Sequence, residues 1–504
     1  MTERVQIPAP SDGDSDDQRD RESDVVPPAP GRRRRARTLV GALAVTLMGA
    51  LLPGAGHVWS GRRSGYAVLA ATFLLAGGLV LHFGDLQAFV DLVVDPGRLR
   101  AAAVAIGVVI LLWVTVVVSC YVLVRPRDLP RWQEGLGAAF VLGLCLVLAS
   151  PVAMTSHYAT VQAGVITKVF QHNRTATVPH DATAADPWAG RDRVDILLLG
   201  GDGDVGREGI RTDTVILLSI DTASGDTVMF SLPRNMMNAQ FPAASPLHDL
   251  YPDGFTGYGD PSSYMLNAVY GQVPALHPGI LGTSDNEGAD AVKQAVEGSL
   301  GIPVDYYVLV NLDGFREIVD AMGGVTVNIN EPVAIQGDTD RGIPPVGYLQ
   351  PGPDQRLNGY QALWFTRGRW GSDDYQRMLR QRCMIQALID EARPLNLLRR
   401  YESLAKAGKD IVRTDVPSRL LSAFVDLVLR VKDADVRSVA FVSSDRFFPG
   451  DPDFTWMRDT VQKALAPRAP RPGPRPSPHP SAVPGEDPGD AVSVADSCEY
   501  RPVG

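Results

Sequence analysis

The distribution of apolar positions divides the chain before any motif is considered. Residues 1–37 carry almost no bulky apolar side chains and end in the arginine run Arg32 to Arg35 and Arg37. Such a segment cannot bury enough surface to offset chain entropy, which predicts a disordered tail. Four nearly unbroken apolar stretches follow, at residues 38–52, 66–83, 101–124 and 135–153. The last three approach or exceed the roughly 18 to 20 residues that cross a bilayer. The first is shorter and runs into Pro53-Gly54-Ala55-Gly56. It either re-enters its own side or crosses as a fourth span.

Charged residues choose between these arrangements, because arginine-bearing loops stay on the cytoplasmic side. The run before residue 38, the pair Arg62-Arg63 and the loop 125–131 are all arginine-bearing, whereas the loop 84–100 holds Asp85, Asp91 and Asp95. These charges favour a re-entrant first stretch, three spans, and a multi-pass membrane protein whose chain beyond about Ser156 lies outside. A fully crossing first stretch would put the large domain in the cytoplasm instead.

Past a linker at residues 156–192 the pattern changes. Residues 194–199, 214–220, 227–231, 306–310 and 325–329 are short β-branched or apolar runs bounded by turn-forming residues, the pattern of buried strands. Residues 289–300, 315–322 and 374–392 have helical spacing, and Gly301 and Gly323-Gly324 stop the first two. Strands alternating with helices predict an α/β domain over residues 193–465, with helices packed on a sheet. Residues 466–504 turn rich in Pro, Arg and Ser and are expected to form an unfolded tail.

Composition adds two constraints. A net charge of -9 argues against a nucleic-acid-binding surface. Four cysteines are too few for a disulfide framework. Cys120 and Cys145 fall in apolar stretches. Cys383 lies in a predicted helix and Cys498 in the tail, where a bridge is possible but nothing in the sequence requires it.

Three clusters could carry chemistry. Asp202 follows the first strand, and Arg211 and Asp213 share one face at the start of the next. Carboxylates at neighbouring strand ends suit Mg²⁺, which takes one or two carboxylates plus phosphate oxygens; solvated loop acids are the plainer alternative. Arg234 follows a strand and Pro233. The third cluster runs from Leu357 to Gln381. Its Arg367 and Arg369 have the spacing of one strand face, and Arg377, Arg380 and Gln381 that of one helix face. Guanidiniums converging from two elements repel unless an anion lies between them, and their planar fork matches phosphate oxygens. A basic helix face balanced by Asp373, Asp374 and Asp390 is the competing reading.

The residues 195–465 resemble the LytR-CpsA-Psr (LCP) family. The resemblance is carried by Leu198-Leu-Gly-Gly-Asp202, Arg211-Thr-Asp213-Thr, Ser231-Leu-Pro-Arg234 and Leu266-Asn-Ala-Val-Tyr270. It continues through residues 306–329, with Asp313-Gly-Phe and Gly323-Gly-Val, and the block 357–381. It implies a single extracytoplasmic LCP-like domain, a central mixed sheet flanked by helices, on an N-terminal membrane anchor. The implied activity is transfer of a glycopolymer from a polyprenyl-pyrophosphate carrier to peptidoglycan, with Mg²⁺ or another divalent cation held by Asp202 and Asp213. Arg211, Arg234, Arg367, Arg369, Arg377, Arg380 and Gln381 would hold the pyrophosphate, with Asp202, Asp213, Arg211 and Arg234 nearest the chemistry. A pyrophosphate hydrolase and a non-catalytic lipid-binding or regulatory membrane protein are the alternatives. Two features depart from the family's pattern: Asn235 stands where an aspartate is usual, and the membrane region is larger than a single anchor helix.

Overall fold

The computed structural model describes residues 34–83, 92, 96–169, 175, 177–201, 211–337, 342–391, 412–466 and 491–501. They fall into two compact units, one within Met1–Gly77 and Ile110–Leu148, the other within Gly78–Val109 and Ala149–Gly504.

Among the described residues the membrane region holds the helices α1 (Leu39–Leu51), α2 (Ala55–Trp59), α3 (Ser64–Phe83), α4 (Pro96–Val124) and α5 (Arg131–Val169). Three of these, α3, α4 and α5, are long and apolar enough to cross a bilayer. At 13 residues, α1 reaches only about 20 Å, short of the roughly 30 Å hydrocarbon core. The chain then reverses at Pro53-Gly54, where Gly54 takes φ +96°, and α2 returns. The two ends of this hairpin meet. The Arg34 N–H donates to Ser60 O at 3.3 Å, and the Ala36 N–H to Val124 O at 3.0 Å. A half-buried Trp113 hydrogen bond to Ala50 O, 3.0 Å long, pins the hairpin near its turn. Gly49 and Gly56 pack against Cys120, where side chains would collide with its sulfur.

The second unit is built on a seven-stranded mixed sheet in the order β11-β10-β3-β2-β1-β4-β9. Its strands are β1 (Arg193–Gly201), β2 (Thr212–Asp221), β3 (Thr227–Leu232), β4 (Tyr306–Asn311), β9 (Val412–Thr414), β10 (Val436–Ala440) and β11 (Val492–Ser493). β1 pairs antiparallel with β2 and parallel with β4. Two two-stranded antiparallel sheets stand apart: β5 (Val325–Ile329) with β8 (Gly352–Leu357), and, between them in the chain, β6 (Val333–Ile335) with β7 (Gly347–Leu349). Alternation along β1 sends Leu197 and Leu199 to one core and Val194 and Ile196 to the other, as a sheet covered on both faces requires. The first core is closed by α6 (Pro246–Leu250), α7 (Leu266–Leu276), α8 (Glu287–Leu300) and, later in the chain, Met457 and Val461. Over the opposite face lie α9 (Leu312–Met322), α10 (Gly359–Arg367), α11 (Asp374–Glu391) and α12 (Leu421–Asp433); α13 (Phe454–Leu465) and α14 (Val494–Ser497) complete the chain.

Two expectations change. The linker at 156–192 is shorter, because α5 runs on to Val169 and residues from 177 onward already pack on the domain. Val178 and Ala182 join the sheet core, and Trp188 meets Phe424 edge-on with centroids 5.2 Å apart. Residues 491–501, expected in the unfolded tail, instead supply β11, α14 and a disulfide between Cys498 and Cys383. Residues 1–33 and 467–490, the other expected unfolded segments, lie outside the described residues.

A buried polar network ties the segment after the membrane region to the core. Lys293 in α8, fully buried, donates to Asp415 at 2.7 Å, to Asp305 O at 2.9 Å and to Thr177 O at 3.3 Å. Asp290, one turn earlier, accepts from the Thr175 and Thr177 hydroxyls at 2.6 and 2.9 Å.

Nearby, burial pushes the Asp195 carboxyl up to about 7, and the adjacent Asp305 adds to the effect while the Ser219 hydroxyl opposes it. With the folded value raised, the stability this group contributes is full below its unfolded value near 4 and lost as pH rises through about 7. Asp195→Asn should therefore raise the melting midpoint at pH 7.5 more than at pH 4.5; thermal melts at the two values check this, and an equal gain at both would refute it.

Candidate donor-binding site

β1, β2 and β4 floor a cleft of about 500 Å³ that α9, α10 and α11 roof. Its deep part is apolar. Leu198, Ile216 and Val308 rise from the sheet, and Phe315, Met384 and Leu388 descend from the helices. Its mouth carries Asp213, Arg234, Arg367, Arg369, Arg377 and Gln381.

Each mouth residue is positioned by local sequence. Asp213 opens β2, where Gly200 of β1 pairs with Thr214; a side chain at Gly200 would sit 3.0 Å from Thr214. Arg234 leaves β3 through Pro233, in a turn closed by the Met236 N–H on Pro233 O at 3.1 Å. Its guanidinium pairs with Asp213 at 2.6 Å. From α11, Gln381 reaches across to donate to the Thr214 hydroxyl at 3.0 Å, and Arg377 pairs with Asp374 at 2.7 Å.

Arg367 and Arg369 do not share a strand face. Asn358 and Gln361 form a reciprocal capping box, which starts a helix where a strand was expected. Arg367 is therefore the last residue of α10, with its guanidinium 5.9 Å from the Trp364 ring, and Arg369 sits in the following turn. Both still reach the mouth. Arg380 does not line the cleft: it donates to Phe365 O at 2.8 Å, to Ser372 at 3.1 Å and to Gly368 O, so it fastens the turn that carries Arg369. Arg211 is exposed and outside the cleft lining. Asp202 lies outside the described residues, and Asn235 is an exposed turn residue.

The mouth carries an excess of positive charge. Four guanidiniums face two carboxylates, Asp213 and Asp374. Burial, then repulsion from Arg369 and Arg234, pushes Arg377 down to about 10 against the opposing Asp374. Arg369 is lowered by burial and by Arg234. For Asp213 burial is the largest single influence and acts upward, but Arg234, Arg369 and Arg377 together outweigh it and hold the carboxyl below its ordinary value. A polyanion entering the mouth would relieve the repulsion among the arginines, and each could give paired hydrogen bonds.

Sequence reasoning missed the apolar lining and two mouth residues, Trp364 and Gln336. The recurrence of Met384, Ile385 and Leu388 at helical spacing beyond Gln381 was a usable signal for the roof. Gln336 gave none, although the structure shows it in left-handed conformation at φ 61°, at the cleft and donating to the Tyr360 hydroxyl at 3.0 Å.

The second unit thus carries an apolar cleft under an arginine-ringed mouth, a shape and charge suited to an amphiphile with an anionic head, and among the described residues three helices are long and apolar enough to cross a bilayer. The chain belongs to the LytR_cpsA_psr family, whose sequence profile matches residues 155–464. It is 29% identical over 306 residues to the polyisoprenyl-teichoic acid–peptidoglycan teichoic acid transferase TagU of Oceanobacillus iheyensis, covering 59% of this chain and 78% of that protein. The TagU of Enterococcus faecalis is 30% identical over 225 residues, 44% of this chain and 61% of that one. Among solved structures, Bacillus subtilis TagV aligns at 23% identity with a TM-score of 0.38, covering 54% of this chain and 96% of that one. TagT bound to LIIa-WTA aligns at 20% identity with a TM-score of 0.37, covering 54% and 90%.

Proposed function

We propose that this chain is a phosphotransferase that moves a glycopolymer from a polyprenyl-pyrophosphate carrier to peptidoglycan. The observation that carries this reading is the joining of an apolar cleft to a mouth with an excess of guanidiniums. A polyprenyl chain suits the first and a pyrophosphate the second, and the activity named for the relatives from Oceanobacillus and Enterococcus points the same way.

In the reaction a wall-sugar hydroxyl attacks the phosphorus that bears the glycan. A new P–O bond forms to the acceptor, the bond to the bridging oxygen breaks, polyprenyl phosphate leaves, and the hydroxyl proton is lost. Negative charge grows on the bridging oxygen, where Arg234, Arg369 and Arg377 stabilise it; positioning and charge neutralisation dominate such transfers. Asp213 is a weak proton acceptor because its arginine neighbours keep it ionised, so its part is to orient Arg234.

Mg²⁺ or another divalent cation at the mouth is part of the same proposal. Asp213 supplies an ionised carboxylate beside the proposed phosphate position, and Mg²⁺ needs one or two carboxylates plus phosphate oxygens and water. Asp213, with Asp202 as the second expected ligand, would hold it. Bound there, the ion would supply further neutralisation of phosphate charge.

The large domain is extracytoplasmic in this reading. All three arginine-bearing segments meet at one end of the membrane unit, where the Arg35 guanidinium donates to Arg125 O at 3.3 Å and Arg34 contacts Ser60. The α1–α2 hairpin enters and leaves there, and three crossings that start on the arginine-bearing side would carry the chain to the other side. A disulfide in the large domain suits that compartment.

Incubation of the full chain with a lipid-linked glycopolymer, with and without peptidoglycan, tests the activity. Glycopolymer attached to peptidoglycan is expected; equal release of free phosphoglycan under both conditions would identify a hydrolase instead. A cysteine placed at exposed Ser224 should react with a membrane-impermeant maleimide on intact cells, and protection until lysis would place the domain inside.

A further inference from the structure

α11 is a wall of the cleft, and it has two working faces. Arg377, Gln381, Met384, Ile385 and Leu388 line the cleft. Gln376, Leu379, Arg380 and Cys383, also at helical spacing, face a different neighbour: the C-terminal residues Ser497, Cys498 and Arg501 and the β5 segment from Asn328 to Asn330.

Residues 491–501 bind three separate parts of the domain. β11 pairs with β10, which lies next to β3, the strand that leads to Arg234. Val494, 1% exposed, enters the core between sheet and helices. Cys498 is bonded to Cys383 across a separation of 115 residues, with Cα atoms 5.6 Å apart. Beyond the bridge, Asn328 donates to Cys498 O at 2.9 Å, Asn330 donates to Glu499 O at 3.1 Å, and the Arg501 N–H donates to the Asn330 side chain at 2.8 Å.

This arrangement answers a mechanical problem. Arg377 is 3% exposed and sits among like charges from Arg234 and Arg369. That repulsion, offset in part by Asp374 and Asp213, opposes the close approach of α11 to β2 and β3. A constraint on the far side of the helix counters it without occupying the cleft.

We propose that residues 491–501 form a strap, locked by the Cys383–Cys498 bond, that positions α11 so that Arg377 and Gln381 stay in register with Asp213 and Arg234. Its consequence for ligand binding rests on the donor-site reading given above; the positioning of α11 does not. A dithiol reductant opens the lock in two exchanges. Its first thiolate attacks one sulfur, giving a mixed disulfide and one free protein thiol. Its second thiolate closes the reductant's own disulfide and frees the other, so two electrons and two protons pass to Cys383 and Cys498.

The test uses the full chain in detergent, oxidised or reduced with dithiothreitol, and reads backbone hydrogen exchange together with binding of farnesyl pyrophosphate. Reduction should speed exchange of α11 and weaken farnesyl pyrophosphate binding, each by about 10-fold, while β1 and β2 keep their protection. Cys498→Ser should behave as the reduced chain and lose its response to reductant. Asn330→Ala, which keeps the bond but removes two strap hydrogen bonds, should move both readouts the same way by less. Unchanged α11 exchange on reduction overturns the proposal. So does equal loss of protection in β1 and β2, which would make the bond a general staple. An oxidised chain that ignores farnesyl pyrophosphate would count against the donor-site reading alone, since the exchange data still decide the strap.

Discussion

Arg234→Ala should lower transfer by about 10²–10³-fold, the loss that follows from deleting one preorganised donor to charge growing in the transition state. The position is sensitive for two reasons. Arg234 stands on a turn fixed by Pro233 and by the Asn267 N–H on its carbonyl at 3.0 Å, so no neighbouring cation can swing into its place. It also neutralises Asp213 at 2.6 Å, and without it that carboxylate would repel the incoming pyrophosphate. The fold should tolerate the change, because both side chains keep about a quarter of their surface in water (29% and 25%) and partly exposed pairs add little stability. Arg234→Lys should recover only part of the rate, since an ammonium supplies charge without the bidentate fork. Single-turnover transfer with saturating lipid-linked donor, beside a thermal melt, measures both halves. A rate like wild type in the alanine variant would remove Arg234 from the chemistry.

Lys293→Met is the counterpart: large in stability and indirect in function. The ion pair with Asp415 is 0% and 1% exposed, and Asp415 also accepts the Tyr307 N–H at 2.7 Å. Removing the ammonium leaves a buried carboxylate without its countercharge, which costs about 3–5 kcal/mol. For a domain of this size that corresponds to a melting midpoint lower by roughly 6–20 °C. Pairing it with Asp415→Asn should restore much of the loss, because the uncompensated charge is gone. The same lysine and its neighbour Asp290 hold residues 175 and 177 to the core. Limited proteolysis near residue 175 should therefore accelerate in the single variant. An unshifted midpoint would mean that the pair contributes nothing net.

Much of the fold was legible in local pattern. The strands at 306–310 and 325–329 and the helix begun at Asp374 emerge within a residue or two of their expected limits. β4 did so because burial on both sheet faces gives a nearly unbroken apolar run, and β5 because its buried and outward positions alternate and Gly323 and Gly324, at φ +83° and +92°, end α9 just before it where only glycine is unstrained. The strand expected through Arg367 failed for an equally local reason. The period-two spacing of two arginines is a weaker signal than a capping box followed by Ala-Leu-Trp, good helix-forming context. The tail was misjudged at 491–501 because composition describes what a segment cannot do alone, and these few residues fold only against β10, α11 and β5.

The sequence by itself determined the long apolar stretches, the α/β alternation and the types of residue at the candidate site, since all three follow from spacing within one segment. Tertiary structure decided what spacing cannot. It sent Arg377 into the cleft and Arg380, three residues on, to backbone carbonyls behind it. It joined the apolar floor of β1, β2 and β4 to α11, far along the chain from all three strands, and it paired Cys383 with Cys498. The physical reason is the same in each case. A side chain's identity and helical phase are local, but what lies opposite it depends on how distant segments pack, and only that packing turns arginines into an anion site.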